Sequence, residues 1–150
     1  MTNRPTSVLI ADDNESTLDV LEIALRGAGY LTHRARSGGE ALIQFTDGRD
    51  VDVVLADVVM PEISGLELAQ RLKGMRPDVP VVLMTGHDAY ADEVINAGAI
   101  PLLKPFRVAT LIRVLQDCRD TGTLTGSANK RVRGKSAETR RGKPTTNASS

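Results

Sequence analysis

Three unbroken apolar runs, Val8-Leu9-Ile10-Ala11, Val53-Val54-Leu55-Ala56 and Val81-Val82-Leu83-Met84, and a shorter one at Leu102-Leu103 each end abruptly at polar residues. Runs of this length, rich in branched side chains, have the composition of strands buried on both faces. A further short strand is expected near Leu31 to Ala35. Between these runs the apolar spacing becomes helical. Leu18, Leu21 and Leu25 form one stripe, Leu68, Leu72 and Met75 a second, and Val108, Leu111, Ile112 and Leu115 a third at i, i+3, i+4 and i+7.

The boundaries carry their own signals. Helix one is expected from near Asn14 to just before Gly29, with Gly27 and Gly29 as its stop. Ser37 followed three residues later by Glu40 reads as a capping box for helix two. Helix three is expected from about Leu66 to Met75, ended by Arg76-Pro77-Asp78. Short strands alternating with helices predict an α/β fold: a doubly wound, five-stranded parallel sheet with helices on both faces.

In such a sheet the C-terminal ends of the strands lie along one edge, which would collect Asp12, Asp13, Asp57, Thr85 and Lys104. Clustered carboxylates repel one another unless a cation compensates them, and a hard divalent ion such as Mg2+ suits oxygen ligands. With Mg2+ and Lys104 neutralising anionic oxygens and Thr85 offering a hydrogen bond, a phosphoryl group could be held beside a carboxylate nucleophile, Asp57 in the first instance. Taken singly, the three acids read as helix-capping residues at strand ends; taken as a set, they read as a phosphoacceptor site.

Five separated matches then make residues 7 to 119 resemble the receiver domains of two-component response regulators. They are Asp12-Asp13; Asp57-Val58-Val59-Met60-Pro61 with Gly65 eight residues after Asp57; Thr85-Gly86; Ala97-Gly98-Ala99; and Lys104-Pro105-Phe106. The resemblance implies that Asp57 accepts a phosphoryl group from a phosphohistidine of a sensor histidine kinase or a histidine phosphotransfer protein. It implies Mg2+ held by Asp12, Asp13, Asp57 and the Val59 carbonyl, with Thr85 and Lys104 contacting the phosphoryl group. Val59 and His87 resemble positions that tune the attack of water on the aspartyl phosphate.

One segment departs from the pattern. Three residues before Lys104, where receivers commonly carry a Tyr or Phe, stands Pro101, which has no ring to rotate. The spans from Thr85 to Gly98 and from Gly98 to Lys104 are also slightly short. Three readings are open: signalling through another surface with Tyr90 in place of the missing ring, service mainly as a phosphoryl acceptor or sink, or a proline tolerated in an edge strand.

Charge divides the chain unequally. Residues 1 to 120 carry 12 Lys and Arg against 18 Asp and Glu, and residues 121 to 150 carry 7 against 1. The expected organisation is therefore a lead of residues 1–6, a receiver domain of 7–119 and a basic tail of 120–150. That tail has 10 Ser or Thr from residue 121 on and almost no large apolar residues, so it is expected to be disordered. Contact with nucleic acid is expected only through its clusters at Lys130 to Lys135 and Arg140 to Lys143. No stretch approaches the roughly 20 apolar residues a membrane span needs, and the N-terminus lacks a signal-peptide core, which places the expectation in the cytoplasm.

Other chemistries find little support. No Gly-rich nucleotide loop follows a strand, and His33 and His87 lack metal-ligand spacing, His33 reading as an exposed strand residue. Cys118 has no partner for an intramolecular disulfide. The alternatives to the phosphoacceptor reading are an Asp-nucleophile phosphohydrolase, disfavoured because Asp12 and Asp13 are adjacent rather than Asp-x-Asp, and a pseudo-receiver that binds partners without phosphorylation. The expected output is an unknown downstream protein, met through helix four, strand five and helix five, or onward phosphoryl transfer. On this reading the chain is a signalling switch rather than an enzyme.

Overall fold

The computed structural model describes residues 4–123. The chain divides after Gln116 into two units, so the last turns of the final helix belong to the second, and the whole sheet belongs to the first. Of the basic tail expected over 120–150, residues 120–123 continue the final helix and the rest lies outside the described residues.

Five strands, β1 (Ser7–Ala11), β2 (Leu31–Ala35), β3 (Val53–Asp57), β4 (Val81–Thr85) and β5 (Ile100–Leu103), form one parallel sheet in the order β2-β1-β3-β4-β5. Helices α1 (Glu15–Gly27), α2 (Gly38–Thr46), α3 (Gly65–Met75), α4 (Ala91–Asn96) and α5 (Val108–Thr123) make the connections, with a 3-10 turn, Asp88–Tyr90, before α4. This is the doubly wound α/β architecture expected from the strand and helix spacing.

Alternation of side chains along the strands divides the core. Leu9 and Ala11, Val54 and Ala56, and Val81 and Leu83 pack with Ala41 of α2, Leu68, Ala69 and Leu72 of α3 and Val94 of α4. Their neighbours Val8, Ile10, Leu55, Val82 and Met84 point to the opposite face and are equally buried, as are Leu18 and Leu25 of α1 and Leu111 and Leu115 of α5. Strands β1, β3 and β4 are buried at every position, whereas the edge strands β2 and β5 are only partly covered.

The punctuation also has a physical account. Asn14 caps α1, its side-chain oxygen accepting from Thr17 N–H at 3.0 Å, and Gly29 (φ +94°) ends it in a Schellman motif, Tyr30 N–H bonding Leu25 O and Gly29 N–H bonding Arg26 O. The same motif stops α4 at Gly98 (φ +82°), where Gly98 N–H bonds Ile95 O and Ala99 N–H bonds Val94 O. The Ala97-Gly98-Ala99 match is therefore a helix stop. Ser37 caps α2 through Glu40 N–H, but Glu40 returns its carboxylate to Arg36 N–H at 2.6 Å rather than to Ser37.

Three expectations need correction. Met75 and Val108, placed on inward stripes, are 47% and 51% exposed, because the core-facing arcs of α3 and α5 are narrower than their apolar stripes. His33 is half-buried rather than exposed.

Candidate functional site

Four strands deliver their polar ends to one cleft of about 410 Å3, lined by Asp12, Asp13, Asn14, Thr17, Asp57, Val59, Thr85, Gly86, His87 and Lys104. All the residues named from sequence as site candidates are brought together here. Asn14 and Thr17 are additions, since neither lies at a strand end.

Asp57 is buried and both of its oxygens are engaged. Oδ2 accepts from Lys104 Nζ at 2.6 Å and Oδ1 from Val59 N–H at 2.9 Å. Lys104 is set in place by β5, its own N–H bonding Thr85 O at 2.8 Å, and its Nζ reaches across β4. Beneath the site, Gly65 N–H bonds Val58 O at 2.8 Å, and a Cβ on Gly65 would overlap the Asp57 carbonyl oxygen. Only glycine permits that approach, which explains the Gly65 spacing.

Asp12 is more deeply buried, at 2% exposure. Its Oδ1 accepts from Asn14 N–H at 2.9 Å, while Oδ2 has no hydrogen-bond partner. Among the described residues the only other such buried side-chain oxygen is Ser7 Oγ, at the start of β1 and so at the far end of the strand. Burial, reinforced by the nearby Asp57 charge and opposed by the Asn14 N–H and by Lys104, pushes the Asp12 carboxyl up to about 6. The helix caps are Asn14 for α1 and Ser64 for α3, so neither Asp12 nor Asp57 is a capping acid.

Asp13 and Val59 stand exposed at the mouth of the cleft. Among the described residues no three carboxylate, imidazole or thiol groups close into a ready cage for a metal. The donor set nevertheless fits a hydrated, oxygen-liganded divalent cation: one buried carboxylate oxygen unsatisfied, further carboxylates beside it and open space in front.

Thr85 is buried, its hydroxyl turned to the backbone of His87. Oγ1 accepts from His87 N–H at 3.1 Å and donates to His87 O at 3.3 Å. Pro101 sits in β5 opposite Leu83. N–H groups alternate sides along a strand, so with Lys104 N–H facing β4 the Pro101 nitrogen faces outward from the edge, where no ladder bond is lost.

The profile of the response regulator receiver domain matches residues 8–116. Over 129 residues the chain is 35% identical to the transcriptional regulatory protein ZraR of Salmonella typhimurium, covering 81% of this chain and 29% of that protein. The chain spans less than two thirds of the length of the curated relatives it matches. Among solved structures, a response regulator receiver domain protein of Clostridium thermocellum superposes with TM-score 0.76 at 28% identity, covering 79% of this chain and 98% of that one. The response regulator TrrA of Thermotoga maritima, described in complex with Mg(2+)-BeF, superposes with TM-score 0.71 at 29% identity, covering 75% and 98%.

Proposed function

The chain belongs to the response regulator receiver family of two-component signalling, and from that premise we propose that it is a phosphoacceptor switch in which Asp57 takes the phosphoryl group. The observation that carries this reading is the Asp57 carboxylate, held by Lys104 Nζ and Val59 N–H at a cleft that also contains the unsatisfied Asp12 oxygen. A carboxylate fixed at two points is oriented for attack without further ordering.

The phosphodonor is a phosphohistidine on a sensor histidine kinase or a histidine phosphotransfer protein. An Asp57 oxygen attacks phosphorus as the P–N bond breaks, and the bond pair stays on the imidazole nitrogen of the donor. Lys104 Nζ, already 2.6 Å from Asp57, moves with its flexible stem onto a phosphoryl oxygen. The Thr85 hydroxyl turns from His87 to donate to another. Mg2+, held by Asp12, Asp13, Asp57 and the Val59 carbonyl, would supply charge neutralisation on the transferring oxygens.

The product is a signalling state rather than a released molecule, read out by a downstream protein or passed on in a relay. Val59 is 66% exposed at the mouth and has no side-chain hydrogen bond with which to place a water, which favours a long-lived aspartyl phosphate, while the His87 imidazole on the cleft wall can orient one. Introducing a polar group by Val59→Asn is expected to shorten the half-life several-fold, and His87→Ala to lengthen it, read by loss of the adduct over time. No helix among the described residues is long and apolar enough to cross a membrane.

The deciding experiment is intact-protein mass spectrometry after incubation with acetyl phosphate and Mg2+. A single phosphoryl adduct, lost in Asp57→Asn and without Mg2+, is expected. Its absence from the wild-type chain would overturn the proposal in favour of phosphorylation-independent binding.

A further inference from the structure

Four strands end in the Asp57 cleft, and the fifth, β2, ends beside it at Arg36. Ala11 pairs with Ala35 on one side and with Ala56 on the other, so the next row across the sheet is Arg36, Asp12 and Asp57. The bond from Asp12 N–H to Ala35 O, 3.1 Å, carries the pairing of β1 and β2 up to that row. In-register neighbours project to the same side of a sheet, which puts Arg36 one strand from Asp12 and two from Asp57, with about 10 Å between the α-carbons of Arg36 and Asp57.

The backbone at this position is fixed while the side chain is only lightly held. Arg36 N–H donates to Glu40 Oε1 at 2.6 Å, which anchors it to the start of α2. Its guanidinium is 66% exposed and makes one bond, from Nη1 to Glu15 Oε2 at 3.1 Å. Glu15 is itself exposed, and it directly follows Asn14 of the cleft. An ion pair open to water at both ends separates at little cost. Arg34, two residues earlier, is held differently, by Glu15, Asp19 and Glu22 together at 2.8 to 3.0 Å.

Charge gives the free side chain a purpose. Asp12, Asp13 and Asp57 are balanced by Lys104 and a divalent cation, so a metal-loaded cleft has no net charge with which to draw in an anionic phosphoryl group. Attraction must then come from the rim. Arg36 is the cation in register with the two buried carboxylates, whereas Arg107, which follows β5, lines the apolar cleft beside that strand.

From this arrangement we infer that Arg36 is a donor-binding residue, whose guanidinium leaves Glu15 for the phosphoryl oxygens of an incoming phosphodonor and holds that group in front of Asp57. The inference rests on the phosphoacceptor reading. A guanidinium offers paired N–H donors to two oxygens of one phosphoryl group, so it recognises the group being transferred and serves P–O and P–N donors alike. Arg36 makes and breaks no covalent bond. Glu15 is a positioning residue that parks Arg36 at rest and competes with the donor for it.

The test follows phosphorylation of the full chain by intact mass at saturating Mg2+, as a function of donor concentration, with acetyl phosphate and separately with phosphoramidate. Arg36→Gln is expected to raise the half-saturating concentration of both donors about fivefold and to leave the maximal rate within about twofold. Arg36→Lys, which keeps the charge, should raise it by no more than about twofold, and Glu15→Gln, which frees the guanidinium, should lower it about twofold. Arg107→Ala removes the same charge and should change neither quantity. Calorimetric Mg2+ affinity should be the same in Arg36→Gln as in wild type. Unchanged half-saturation in Arg36→Gln, an equal rise in Arg107→Ala, an effect confined to acetyl phosphate or an altered Mg2+ affinity would each overturn the role of Arg36 and leave the phosphoacceptor reading standing. No adduct in the wild-type chain would remove both.

Discussion

Two aspartates at opposite ends of the sheet, Asp52 partly covered and Asp12 fully buried, meet the cost of desolvation differently. Asp52, just before β3, is drawn up by burial, but Arg4, which holds it through two bonds of 2.8 and 2.9 Å, and Ser7 N–H outweigh that and leave its carboxyl below the ordinary range. Asp12, just after β1, has one N–H for one oxygen and nothing for the other, and its carboxyl is pushed up to about 6. Asp52 is thus satisfied within the fold, whereas Asp12 keeps an electrostatic demand for a ligand to meet. Sites that bind charge are built this way at the expense of stability.

The largest expected effect tests how tightly the C-terminal end is assembled. Gly65→Ala drives a methyl into the Asp57 carbonyl, which neither β3 nor the start of α3 can yield to cheaply; a loss of about 3 kcal/mol is expected in urea unfolding. A loss below about 1 kcal/mol would show that the backbone under Asp57 gives way.

Asp12→Asn should break the contrast at its source. Raising a carboxyl in the folded state means the folded chain holds the proton more tightly than the unfolded chain, so stability is lost as pH rises from about 4 towards 6 and stays lost above. Without metal at pH 7, Asp12→Asn is therefore expected to be more stable than wild type by about 2 kcal/mol. Saturating Mg2+ should narrow or reverse the difference by stabilising wild type alone. Because proton and cation compete for the same oxygens, calorimetric Mg2+ affinity of the wild type should fall about tenfold between pH 7.5 and pH 5. A flat profile would separate Asp12 from the metal.

Asp52→Asn has the opposite sign and a smaller size. A lowered carboxyl contributes stability above its unfolded value that is lost as pH falls through the folded one. The substitution is expected to cost about 1 kcal/mol at pH 7, with the difference from wild type shrinking below pH 4 and no effect on Mg2+ affinity. The smallest effect expected is at Glu62, which adopts φ +67° in the β3–α3 loop. Glu62→Gly should relieve that strain and raise stability by about 0.5 kcal/mol.

Residues whose roles are legible in the amino-acid sequence share one property: their meaning is local. Val53 to Ala56 reads as a strand because a run of branched apolar residues has few other uses, and Asp57 reads as its polar end. Ser37 reads as a cap because the N–H it accepts belongs to Glu40, three residues away. Gly65 is visible as a spacing, but its necessity, the Asp57 carbonyl it passes, belongs to the packed chain. Asn14 is visible as a helix start, and the bond from its own N–H to Asp12 is equally local, but that the second oxygen of Asp12 is buried without a partner belongs to the packed chain. Periodicity places Met75 and Val108 inward because it marks an apolar stripe without saying how much of it a neighbour will cover.

By itself, then, the sequence determined the five strands, the order of their polar ends and the chemistry collected at one sheet edge, since these follow from short-range preferences and the parallel topology they force. Only the tertiary structure decided that Lys104 reaches Asp57, that one oxygen of Asp12 is left unsatisfied and that Thr85 is tied to the turn before Tyr90. Those relations join residues far apart in the chain or depend on which oxygen finds a donor, and such quantities are set by how packed elements exclude water and meet one another, not by any residue's own preference.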